Sequence, residues 1–325
     1  MQNVSRRMFG LIFFALIFFA FPLFAQPSEV ACPENAVKVF KYNGGNWKEA
    51  KPTDNASTQQ TNYVIIHGSY SSVKKCPYIK PLAVALKNAE PDCEVFAVDW
   101  GALAAVKANP NEFKSEEELL SIIPEKLKQD LKASFKSEKE FRKNVSLWGE
   151  MLFPFIPVEQ TKYIPEISKI AAKKLFGKET DKGQLALSPQ DTHIIGHSHG
   201  AHIAGLIGAY TTSSNRGKIK AITALEPSPE SLHCTPDNFH GNGWGPSSAE
   251  FIDVIKTSRY CSGNSSWGTI TYNYTPQNEP KKMNNIISLA CVMKTENNLH
   301  QKAWDEYIIK VNNRIAFSGV SRKID

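Results

Sequence analysis

Apolar stretches recur along the chain, and several end on residues with chemistry to offer. Tyr63-Val64-Ile65-Ile66 runs into His67-Gly68, and Val95-Phe96-Ala97-Val98 into Asp99-Trp100. Ile194-Ile195 leads into Gly196-His197-Ser198, and Lys218–Leu225 into Glu226-Pro227. Tyr63–Ile66 and Val95–Val98 are continuous apolar runs that predict buried strands, and Ile194-Ile195 and Lys218–Leu225 also read as strands. Phe251–Ile255 reads as a further strand with one carboxylate inside it, Asp253, and Val37–Tyr42 as an edge strand followed by a turn region. Between these runs the apolar period becomes helical. Ile79, Leu82, Ala83 and Leu86 share a face of a helix over Pro77–Asn88. Ala201, Ile203, Ala204, Ile207 and Gly208 continue at helical spacing after Ser198, and Pro165–Phe176 is a helix closed by Gly177. Trp304, Tyr307 and Ile308 mark the buried face of a late helix. Strand, helix, strand without two-residue turns predicts an α/β fold with a mostly parallel sheet and flanking helices.

One stretch breaks this rhythm. Residues 101 to about 185 are rich in Lys and Glu and helical in pattern, with capping boxes at Ser115/Glu118 and Ser137/Glu140. They are expected to form a helical cap insertion. Inside it, Leu147–Pro157 is apolar and holds Pro154 and Pro157. It reads either as a lid able to meet lipid or as a buried connector beneath the cap.

The N-terminus changes the setting. Arg6 and Arg7 precede an apolar run, Met8–Phe21, and Ala25 offers a small residue for cleavage. The run is short for a bilayer span of about 20 residues. Residues 1–25 are therefore expected to be a signal peptide, with 26–325 a single secreted or periplasmic domain. The net charge of +6 includes the two signal arginines, and Lys alternates with Glu, so nothing points to nucleic acid. Six cysteines without a Cys-x-x-Cys pair suit disulfides better than zinc in an exported chain. Cys234 with Cys261 is one candidate pairing beside the site.

Gly196-His197-Ser198-His199-Gly200 has the form Gly-x-Ser-x-Gly, with a strand before it and a helix after it. That context predicts a nucleophile elbow with Ser198 at the tip of a strained turn. The N–H of His199 and that of Ser69, just past the strand ending in His67-Gly68, are candidate oxyanion donors. Glu226 closes the next strand and is the candidate triad acid, with Asp253 as the rival. A base must follow the acid. Among His233, His240 and His300, we choose His300, expected in a loop just before the last helix. This chemistry calls for no cofactor and no metal.

The blocks Val64–Gly68, Val98-Asp99-Trp100, His193–His202, Ile222–Pro227 and Phe251–Thr257 together resemble the pancreatic lipase family, which includes secreted phospholipases A1. The resemblance implies an α/β-hydrolase fold and ester hydrolysis on lipids, triacylglycerol or phospholipid, at a membrane or lipid-droplet surface. It implies Ser198 as nucleophile, Glu226 as acid, His300 as base, and Ser69 and His199 as oxyanion donors. Two departures stand inside the site itself: His199 where the family usually has Leu, and Glu226 where it usually has Asp.

Overall fold

A hairpin opens the fold. The computed structural model describes residues 32–54, 60–104, 137, 163–177, 184–228, 248–257, 270–273 and 286–313. Strand β1 (Lys38–Asn43) turns back into β2 (Asn46–Glu49) through Gly44 and Gly45, at φ 55° and 90°. Both central residues at positive φ make the two-residue turn that matches strand twist, which Gly-Gly supplies without strain. The sequence places Val37–Tyr42 at the sheet edge, but β2 takes that position. A four-residue strand with Trp47 as its only large apolar side chain gives little period to read.

The chain continues as β3 (Asn62–Ile66), α1 (Ile79–Ala89), β4 (Glu94–Asp99) and α2 (Gly101–Ala104). It resumes with α3 (Ile164–Phe176), β5 (Thr192–His197), α4 (His199–Ser213), β6 (Ile219–Leu225), β7 (Ala249–Lys256), β8 (Ile270–Asn273) and α5 (Ile286–Asn312). The sheet runs β2-β1-β4-β3-β5-β6-β7-β8. Strands β3 to β8 pair in parallel, and only β1 pairs antiparallel, with β2 and with β4. This is the mostly parallel sheet that the apolar runs predict, and it has the α/β-hydrolase arrangement that the resemblance implies.

Helices cover both faces. Ile66, Ile194, Ile222 and Val254 pack with α3 and α4 on one side. Ile65, Ile195, Leu225 and Ile255 pack with α1 and α5 on the other. The period of two along β5 thus sends Ile194 and Gly196 toward α4 and His193, Ile195 and His197 toward α5. Helix α4 is buried almost all round, as an element at the centre of a large core is. The signal segment, the cap positions named above except Ser137, the 147–157 stretch and Cys234 with Cys261 lie outside the described residues. Cys32, Cys76 and Cys93 are free thiols.

Candidate active site

The site forms where β3, β5, β6 and β7 stop, at their carboxyl ends, the usual place for ligands in such sheets. Ser198 caps α4 with φ 55° and ψ −122°, backbone that L residues rarely adopt. Its N–H bonds to the carbonyl of Leu225 at 3.0 Å, so the ladder with β6 continues one residue into the turn. The flanking glycines are required by space. A Cβ on Gly196 would sit 2.2 Å from the carbonyl oxygen of Gly200. A Cβ on Gly200 would sit 2.5 Å from the carbonyl oxygens of Ile66 and His67. The helix behind Ser198 spans 15 residues, and its first N–H groups and dipole favour negative charge at this end.

The end of β3 lies against the nucleophile. A Cβ on Gly68 would be 2.9 Å from Ser198 Cβ and 3.2 Å from His197 Nδ1. The buried His67 ring holds this corner. It contacts the Gly68 carbonyl at 2.8 Å and Asp99 Oδ1 at 3.1 Å, and it stacks on Trp100 at 5.4 Å between centroids. Trp100 Nε1–H donates back to the His67 carbonyl at 2.9 Å. Burial raises the Asp99 carboxyl, but the His67 contacts outweigh it and leave the group below its usual value. Ser69 Oγ lies 2.5 Å from His199 Nδ1, joining the two candidate donor residues through their side chains.

Glu226 sits fully buried at the end of β6 with φ 45°. Its N–H donates to the Ile255 carbonyl at 2.7 Å. Its carboxylate accepts from the Thr257 N–H and lies 2.7 Å from Thr257 Oγ1. Thr257 Oγ1 is also 2.5 Å from the Leu299 carbonyl, one hydroxyl hydrogen between two acceptors. Thr257 therefore ties the acid to the residue before His300. The rival, Asp253, stands two residues back from Ile255, about 7 Å along the strand. It is buried opposite Thr223, near Lys310. Burial pushes its carboxyl up to about 6, with Lys310 pulling the other way.

His300 is in the middle of α5, not in a loop before it. Asn297-Asn298 looks like a break in sequence, but the buried face of Ala303, Trp304 and Tyr307 keeps the helix intact. The His300 ring lies 4.6 Å from that of His197, the residue before the nucleophile. His197 Nε2–H donates to the His300 carbonyl at 2.9 Å, and its ring packs on Trp304 at 5.2 Å. His300 Nδ1 is buried without a hydrogen bond, and burial pushes the ring down to about 4. No hydrogen bond joins Ser198 Oγ to His300 in the described residues. The structure thus gathers Ser198, Glu226, His300, Ser69 and His199 at one end of the sheet. His300 Nδ1 reaches neither Ser198 nor Glu226 by a hydrogen bond. His197 and Thr257, which hold the site together, are absent from the sequence reading as structural links. Their signal was present only as strand parity and as position next to a candidate.

Residues 159–271 match the family model described as Lipase. A pancreatic triacylglycerol lipase from Myocastor coypus is 36% identical over 97 residues, which is 30% of this chain and 20% of that protein. Across this stretch the chain is similar to the pancreatic triacylglycerol lipases. The matched segment holds β5, the elbow, β6, Glu226 and β7. The Oryctolagus cuniculus pancreatic triacylglycerol lipase is 41% identical over 88 residues, 27% of this chain and 17% of that one. The Homo sapiens inactive pancreatic lipase-related protein 1 is 42% identical over 74 residues, 23% and 14% of the two chains. The matched stretch therefore spans a fifth or less of these relatives' own length. Among solved structures, a hyperthermophilic esterase from Pyrobaculum calidifontis overlays 96% of this chain and 90% of its own, at 13% identity and TM-score 0.32. The fold assignment rests on the strand order.

Proposed function

We propose that this protein is a secreted serine hydrolase that cleaves carboxylic esters of lipids. One observation carries the reading. Ser198 occupies a strained turn between a buried strand and a buried helix, and both flanking glycines sit where a side chain would strike backbone. Such strain persists where the turn exposes a nucleophile.

In this reading His300 takes the Ser198 proton as Oγ attacks the ester carbonyl. Glu226 steadies the imidazolium, and the N–H groups of Ser69 and His199 hold the oxyanion. The tetrahedral species collapses, the alcohol leaves with the proton from His300, and the acyl group stays on Ser198. Water, deprotonated by the same imidazole, then releases the fatty acid. The unpartnered His300 Nδ1 suits this role, because it is the atom that must bind the acid when the ring charges. Catalytic hydrogen bonds are often long before substrate binds. The substrate would be met at a membrane or lipid-droplet surface.

The missing hydrogen bond on His300 Nδ1 favours one rival, a protein of the same fold that binds lipid without cleaving it. Labelling with a fluorophosphonate and turnover of p-nitrophenyl butyrate decide between them. A hydrolase labels once and turns over, and Ser198→Ala abolishes both. A protein that neither labels nor turns over is a binder. Activation by emulsified or vesicular substrate separates a lipase from an esterase of soluble esters.

A further inference from the structure

The candidate oxyanion hole is built from two segments far apart in the chain, the loop after β3 and the first residue of α4. Each contributes a backbone N–H, and no ladder bond joins the two residues that own them. Their side chains do join, Ser69 Oγ to His199 Nδ1 at 2.5 Å across 130 residues of sequence. The contact makes one bridge of atoms from the first N–H, out along Ser69, across the hydrogen bond and back along His199 to the second. Such a bridge limits the separation and tilt of the two donors.

The surroundings give the bond its importance. Past the loop, Tyr70 N–H donates to the Ala104 carbonyl at 2.7 Å, which anchors the far side only. Ser69 itself is partly exposed, and Tyr70 adopts φ 55°. His199 is fully buried, and its Nε2 has no hydrogen-bond partner. Burying an imidazole with one nitrogen unsatisfied is costly, and an apolar residue would fill the position without that cost. What offsets that cost at His199 is its other nitrogen, the one on Ser69.

We propose that the Ser69–His199 side-chain bond is a latch that holds the two oxyanion donors at their working separation, making both side chains positioning residues for the reaction. The inference rests on the hydrolase reading above. The latch acts on the oxyanion, so its loss lowers kcat and spares ground-state binding. A lost donor costs about 10²–10³ in turnover, and a misplaced one costs less, about 10- to 100-fold.

The test compares Ser69→Ala, His199→Leu, the double variant and His199→Asn on p-nitrophenyl butyrate. Binding of a trifluoromethyl ketone, which forms the tetrahedral adduct on Ser198, is measured alongside. The latch predicts that each single substitution lowers kcat by about 10- to 100-fold with KM little changed. Affinity for the ketone falls in parallel. The double variant is no worse than either single one, because both remove the same bond. His199→Asn, whose amide reaches the place of Nδ1, recovers most of the rate. Losses that add, losses confined to KM, or single variants within about twofold of the parent overturn the latch. Should a variant fail to fold, imidazole ¹⁵N shifts of the parent chain decide, since a ring Nδ1 with no hydrogen bond also overturns it. A parent that neither labels nor turns over refutes the hydrolase reading, whereas an active parent with indifferent variants refutes the latch alone.

Discussion

Gly200→Ala is the most direct probe of the elbow. The added Cβ would lie 2.5 Å from two backbone oxygens, those of Ile66 and His67, and 2.9 Å from the Ile66 carbonyl carbon. Ordinary contact begins near 3.4 Å, so about 0.9 Å must be recovered. Neither obstacle is a flexible tip. Ile66 is paired with Val98 on one side and Gly196 on the other, so the strand resists on both edges. The displacement passes instead along the chain to Gly68 and Ser69. Overpacking of this kind costs about 1–3 kcal/mol. At about 2–4 °C per kcal/mol for a chain of this class, the melting temperature should fall by roughly 3–10 °C. A shift approaching 1 Å in the donor loop should lower kcat by about 10². Thermal melting by circular dichroism and hydrolysis of p-nitrophenyl butyrate read the two effects. Val84→Ala, on the exposed side of α1, is the neutral reference. A Gly200→Ala protein that melts and turns over like this reference would refute the close-packed elbow.

Glu226→Gln should lower kcat by about 10³–10⁴, by the logic of a lost imidazole partner, while Asp253→Asn leaves it near the parent value. The reverse ranking, read from the same ester assay, would make Asp253 the acid. Trp304→Ala removes a fully buried ring from between His197 and Tyr78 and should cost about 3–5 kcal/mol, measured by urea unfolding. Burial holds His193 near 3 and His202 and His300 near 4, below the ordinary 6.5. The unfolded chain gains protons below 6.5 that the fold refuses, so stability is full above 6.5 and falls as pH drops toward 4. Each such histidine contributes up to about 1.4 kcal/mol per pH unit. Asp253, held near 6, acts oppositely, because the fold keeps its proton where the unfolded chain has lost it. The melting temperature should thus drop from pH 7 to 4, and Asp253→Asn should steepen the drop. A flat profile would refute the neutral, buried imidazoles.

The legible parts of the molecule are those written as period. Continuous apolar runs marked β3, β4 and β5, and the switch to helical spacing after Ser198 marked α4. The two glycines of the elbow were readable because their reason is local. β2 and β8 are not legible, because four residues such as Asn46–Glu49 or Ile270–Asn273 carry almost no pattern. The sequence predicts a loop at Asn297-Asn298, which disfavour helix locally, whereas packing of Trp304 and Tyr307 carries the helix through His300. The bonds Ser69–His199, Thr257–Glu226 and His197–His300 join residues 130, 31 and 103 apart, and such pairings exist only once the sheet is assembled. Strand parity offered one clue. It sends His193, Ile195 and His197 to a common face, so the imidazole before the nucleophile had to meet whatever covers that face.

His197 grips the main chain at position 300, not the ring borne there. The anchor is therefore indifferent to which side chain that position carries. Replacing the imidazole by a methyl group would leave α5 moored and a hole of imidazole size beside the His197 ring. Free imidazole supplied from solution would have a seat already shaped for it.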